Sequence, residues 1–181
     1  SNQNNSFQFD IWPFGTTVAE SINIAERHNV PLHKSGIITI NKGFHPQVRK
    51  YSDAIHFYYK TNLLGHFSKV ELSFTPVSKK LHTVKIQWPN QKTKDTKLAN
   101  EIISMISEKH GEPKRHGKRR LFYSDTEWIT KDANQIEMNI SSTAIYLSYL
   151  HTNLRQLDYE ETENLKSQKI KTRTAKDKNK F

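Results

Sequence analysis

A chain of 181 residues, 34% hydrophobic and with a formal net charge of +10, holds one domain or two small ones. It is long enough to bury roughly two-thirds of its unfolded surface. It has no cysteine, which excludes disulfides, thiol catalysis and cysteine-bound metal, and no apolar run approaches the ~18 residues of a membrane-spanning helix.

In chain order, residues 1–8 read as a disordered or tag-derived lead. The opening SNQNNS lacks methionine, which fits a processed or engineered start that an export signal can have preceded. FQFDIWPF is a short strand or an apolar lead-in, with Trp12 covering one end of a sheet. Thr17 and Glu20 have the spacing of a capping box, and Val18, Ile22 and Ala25 then share a helical face. Asn29 suits the left-handed stop position and Pro31 blocks continuation. IITI (37–40) is a possible strand, and residues 41–53 read as a long loop within the 33–53 stretch.

Three strands are expected next. Ile55, Phe57 and Tyr59 share one face; so do Val70, Leu72 and Phe74; so do Val84, Ile86 and Trp88. Strict alternation implies antiparallel strands with one wet face. NQKTKD is a linker leading to a second helix that is expected to bury Leu98, Ile102, Met105 and Ile106 and to end at Gly111 and Pro113. LFYSDTEWIT, QIEMNI and AIYLSYL are three further strands. A helix over 154–165 carries Leu154, Leu157 and Leu165 on one stripe.

The fold class expected is therefore α+β: two tandem helix-plus-three-strand units with antiparallel sheet, a C-terminal helix and a disordered basic tail. A single domain spans 9–165, with repeat units at about 9–90 and 91–152, and the tail spans 166–181. The run Lys109-His110-Gly111-Glu112-Pro113, then Trp128, then the strand Ile136 to Ile140 resembles small exported bacterial domains. The tandem layout over about residues 9–155 is similar to the beta-lactamase inhibitor protein architecture. That resemblance implies a fold and an exported location, and no activity or functional residue.

Charge is unevenly placed. Lys166, Lys169, Lys171, Arg173, Lys176, Lys178 and Lys180 face only one acid, Asp177, across 166–181, so the tail carries +6 of the chain's +10. A second cluster, Lys114, Arg115, Lys118, Arg119 and Arg120, reads as a basic loop in KRHGKRR. These five residues and Trp128 are the candidate contacts for a polyanion or a partner protein. The bland reading is a solvated loop and a solubilising tail, with Trp128 in the core.

Catalytic signatures are missing. His56, His66 and His82 lie on consecutive strands, without a carboxylate or second histidine at metal-ligand spacing. Asp125 and Glu127 share a strand face, where paired carboxylates are more often solvated charges than acid–base catalysts. No metal and no cofactor are expected. The expected role is a non-enzymatic binding or interaction module, of a bacterial cell envelope or secreted, whose partner is another protein or an anionic polymer. The alternative is a nucleic-acid-binding protein, cytoplasmic or secreted, using loop 114–120 and tail 166–181.

Overall fold

The computed structural model describes residues 7–34, 54–91, 97–120 and 123–181. It is mixed α+β. A two-stranded hairpin, β1 (Gln8–Phe9) and β2 (Trp12–Pro13), precedes helix α1 (Val18–Arg27). Strands β3 (His33–Lys34), β4 (His56–Leu63), β5 (His66–Phe74) and β6 (Leu81–Pro89) follow. Then come helix α2 (Lys97–His110), strands β7 (Arg115–Arg120), β8 (Tyr123–Ile129), β9 (Gln135–Ile140) and β10 (Ala144–Leu150), and the long helix α3 (Thr152–Asp177). The eight strands β3 to β10 form one antiparallel sheet in the order β3-β4-β5-β6-β10-β9-β8-β7. The suggested strand at 37–40, the loop at 41–53 and most of the linker before α2 lie outside the described residues.

Local chemistry sets the element ends. Thr17 accepts a hydrogen bond from the Glu20 amide at 3.2 Å, and the Glu20 carboxylate accepts from the Thr17 amide at 3.0 Å, so two free helix donors are satisfied. Asn29 takes φ 53° just past α1. The β4–β5 hairpin turns on Leu64 and Gly65, both at positive φ, which a two-residue turn matched to the strand twist requires. Gly111, at φ 88°, closes α2 by donating its amide to the Ser107 carbonyl.

Alternation then builds the core on one sheet face. Phe57, Leu72, Val84 and Tyr149 stand in register across four strands, and Tyr59, Val70, Ile86, Leu147 and Met138 form the next row. All are buried, with Val18, Ile22 and Ala25 of α1 and Leu98, Ala99, Ile102 and Ile106 of α2 in the same cluster. Trp12 is fully buried, and its indole N–H donates to the Tyr59 hydroxyl at 2.9 Å. Burial holds that phenol's pKa up at about 12, so it stays a neutral acceptor.

Several expectations need correction. Met105 is 44% exposed; it lies one residue before Ile106 and so about 100° around the helix from it. KRHGKRR is not a loop: Arg115–Arg120 is an edge strand paired with β8, because strand pairing is a backbone matter and tolerates polar side chains at a sheet edge. Among the described residues the large sheet has eight strands, β3 and β7 adding to the six expected. The tail is not disordered either. The helix begins at Thr152, two residues earlier than expected, and runs to Asp177, followed by a 3-10 turn over Lys178–Lys180. No glycine or proline interrupts it, its lysines, arginines and glutamines are good helix formers, and cations near its C-terminus suit the helix dipole.

No residue of α3 is buried, and from Lys166 to Lys176 every residue is exposed. Cutting the chain after Leu165 is therefore expected to leave the melting temperature nearly unchanged. A drop of several degrees would show that the outer half docks. Trp128→Ala, which empties a fully buried site on β8, should cost about 3–5 kcal/mol in urea denaturation; a loss under 1 kcal/mol would contradict the packing.

Candidate binding surface

The sheet face opposite the core runs across all eight strands. Its residues follow from strand register. One row runs His33, Tyr58, Glu71, Lys85, Ser148, Glu137, Glu127 and Arg115 across all eight strands. The next runs Lys60, Lys69, Gln87, Tyr146, Asn139, Asp125 and Gly117. Period-two alternation places these side chains away from the core, and those described are half-buried or exposed.

Two tyrosines are held by lysines on diagonal cross-strand positions. Lys69 Nζ lies 4.6 Å from the Tyr58 ring centroid and Lys85 Nζ lies 4.9 Å from that of Tyr146. At partly exposed sites each contact is worth roughly 0.5–1 kcal/mol. Lys69 also pairs with Glu71 at 3.1 Å, and the His33 ring sits 5.4 Å from Tyr58. Charge is split across this face. Lys60, Lys69 and Lys85 populate β4 to β6, whereas Glu137, Asp125 and Glu127 populate β9 and β8. Glu127 and Glu137 stand directly opposite each other, a like-charge pair that Arg115 offsets through its ion pair with Glu127.

Of the residues singled out in the sequence, the five basic ones share the β7 edge and Trp128 is set apart in the core. Lys114 and Arg115 lie at the start of the β7 edge, with Lys114 donating its amide to the Glu127 carbonyl at 2.7 Å. Lys118, Arg119 and Arg120 belong to the same strand, where the register with β8 is irregular. Trp128 is fully buried, and its indole N–H donates to Ser107 on α2 at 3.2 Å. It therefore joins β8 to α2 and cannot be a surface contact; its neighbours Thr126 and Thr130 are buried too, which the polar look of the strand conceals.

His56, His66 and His82 do not converge. His66 lies at the hairpin end of β5, about 23 Å along the strand from the end where His56 stands. His56 meets Ser73 and His82 meets Thr83. Asp125 and Glu127 do share a face, the open one. Tyr58 and Tyr146 carry a sequence signal, as aromatics at wet strand positions, but their lysine partners emerge only from register.

A second cluster fixes α3 to the body. The Glu161 carboxylate accepts from the Val77 and Ser78 amides at 2.8 Å each and from the Ser78 hydroxyl at 2.7 Å. One turn earlier Asp158 lies 3.5 Å from His82 Nε2. Burial would lift the Glu161 carboxyl, but the hydrogen bonds from Ser78 and Val77 and the charge of Lys80 outweigh it, and its pKa lies below the ordinary value. Burial lowers the His82 pKa, with Asp158 pulling the other way. Nearby, Phe7, Phe14, Asn134 and His151 line an open cleft of about 490 Å³.

No family model, no curated protein and no solved structure matches the chain.

Both Glu161 and His82 bind protons less readily when folded than when unfolded. Each contributes stability that is complete above its ordinary pKa, roughly 4.3 and 6.5, and is lost as pH falls through the folded value. Amide protection over 158–165 is therefore expected to hold at pH 7, to weaken as acid reaches Glu161, and to be weaker at neutral pH in Glu161→Gln. Protection factors that do not change from neutral pH to about pH 3 in the parent, and that Glu161→Gln leaves unaltered at neutral pH, would show that Glu161 does not hold α3.

Proposed function

We propose that this chain is a non-enzymatic binding module that seats another protein on the open face of its eight-stranded sheet. The observation that carries the reading is the pair of lysine-braced tyrosines, Tyr58 and Tyr146, on a face whose lysines stand on β4 to β6 with Glu71 among them, and whose other acids stand on β8 and β9 with Arg115 beside them. Tyrosine offers large, stiff contact area, and interface cores are rich in it. Eight strands at about 4.8 Å spacing, with strands up to nine residues long, give a surface of roughly 34 by 27 Å. That is the size of one side of a standard protein interface. The split charge favours a partner of matching polarity and fixes its orientation more than its affinity.

The architecture supports the same reading. We infer two units, α1 with β3–β6 and α2 with β7–β10, each a helix followed by four strands, whose last strands β6 and β10 meet at the sheet centre. The order β3-β4-β5-β6-β10-β9-β8-β7 is that of a meander and its reverse. The resemblance to the beta-lactamase inhibitor protein architecture implies a tandem layout of helix-plus-three-strand units, and this reading keeps the tandem order with a fourth strand in each. A partner on the open face touches both units.

A photo-crosslinker at position 146, used in native extract with and without nuclease, tests the proposal. Capture of a protein should survive nuclease. Tyr58→Ala combined with Tyr146→Ala should weaken binding of the captured partner about 30-fold or more, the equivalent of ~2 kcal/mol, with melting unchanged. Capture that vanishes with nuclease, or a double variant that binds like the parent, rejects it.

A further inference from the structure

The outer half of α3 is a charged surface of a different kind. No acid lies between Glu163 and Asp177, while Lys166, Lys169, Lys171, Arg173 and Lys176 do. Among the described residues Lys166 pairs with Glu163 and Lys180 with Asp177, and no ion pair reaches the four cations between. On a helix, Lys166, Lys169, Arg173 and Lys176 fall within a stripe roughly 80° wide, running about 15 Å along the axis. Lys171 lies about 180° from its middle. Like charges at i,i+3 and i,i+4 repel, so this free-standing segment is held below its best helicity until an anion screens it.

We propose that Lys166–Asp177 of α3 is a binding element for duplex DNA, lying in the major groove with cations meeting phosphates on both walls. The fit is one of shape and charge. An α-helix is about 10–12 Å across and the major groove about 12 Å wide. The segment is exposed on all sides for three turns, so the body does not block a groove from surrounding it. A flat anionic membrane fits less well. It meets one side only and leaves Lys171 pointing away, and Ile170 is the sole large apolar residue from Lys166 to Asp177, too little for insertion. Recognition is of the backbone, independent of sequence, because lysines to phosphates carry the attraction. The surface is separate from the sheet face, and either proposal can fail alone.

The experiment measures the affinity of the full chain for a short labelled DNA duplex between about 50 and 200 mM salt, beside vesicles of mixed zwitterionic and anionic lipid. Five phosphate contacts predict a slope of log affinity on log salt near −4.5. K169Q/R173Q/K176Q should cut the magnitude of that slope by about 2.7, whereas R27Q/K109Q/K131Q, which removes the same charge elsewhere, should leave it nearly unchanged. DNA should also increase the helical circular dichroism of the parent and not of the first variant. Equal losses in the two triple variants would reduce the effect to net charge and overturn the proposal. So would tighter binding to vesicles than to duplex, or no binding to duplex at 50 mM salt.

Discussion

The pairing of β6 with β10 is the contact on which the rest of the structure depends. Apart from β3–β4, every other described pairing in the large sheet joins strands linked by a short turn, so each is a local meander step. The β6–β10 ladder joins segments about sixty residues apart and closes two four-stranded pieces into one sheet. Its register is dictated by burial. Trp88, Ile86 and Val84 stand opposite Ile145, Leu147 and Tyr149, all on the core face. A slip of one residue would turn one whole set toward water and expose three large side chains, at roughly 1.5–3 kcal/mol each. The same register puts Lys85 beside Tyr146, so the feature that carries the proposed function follows from the feature that closes the fold.

α3 is attached by other means. None of its residues is buried, and its anchors are polar: a carboxylate in a turn, an acid beside a histidine, the Thr152 amide on Asn134, and the His151 ring capping the Leu154 amide. Leu154 approaches Gly15 beside the hairpin, where Phe7 stacks on Phe14 at 4.9 Å. Such contacts fix direction and add little stability, because hydrogen bonds exchange for water at small net gain. The helix is positioned by the body more than it stabilises it.

What was legible in the sequence follows from this division. Period-two runs at 67–74, 82–88, 136–140 and 145–149 state their strands and faces, since burial on one side leaves a mark at every second residue. The Thr17–Glu20 box and the Gly111 stop are equally plain. β7 was hidden because an edge strand of RHGKRR carries no apolar mark, and its side-chain links to β8, Arg115 to Glu127 and His116 to Thr126, emerge only from register. The outer half of α3 was misjudged because charge density argued for disorder, while helix propensity and dipole, both cumulative over many residues, argued the other way. Trp128 lay in a strand whose buried face is partly threonine. As for the surface, alternation alone puts Tyr58 and Tyr146 on wet positions, whereas the lysines that brace them depend on register between strands.

The outer helix and the Glu161 anchor are coupled at one end only. Lys166 lies about 8 Å along the helix from Glu161, roughly one Debye length at physiological salt, whereas Lys176 lies about 22 Å away, beyond two. A polyanion gathered on the outer helix therefore reaches the Glu161 anchor through its first contact alone. Apart from the tail, the remaining residues carry +4 of the +10, and the sheet face divides its charges between both signs. Long-range attraction for anions is thus concentrated in an arm held clear of the body. The sheet selects at short range, through shape and through the order of its charges.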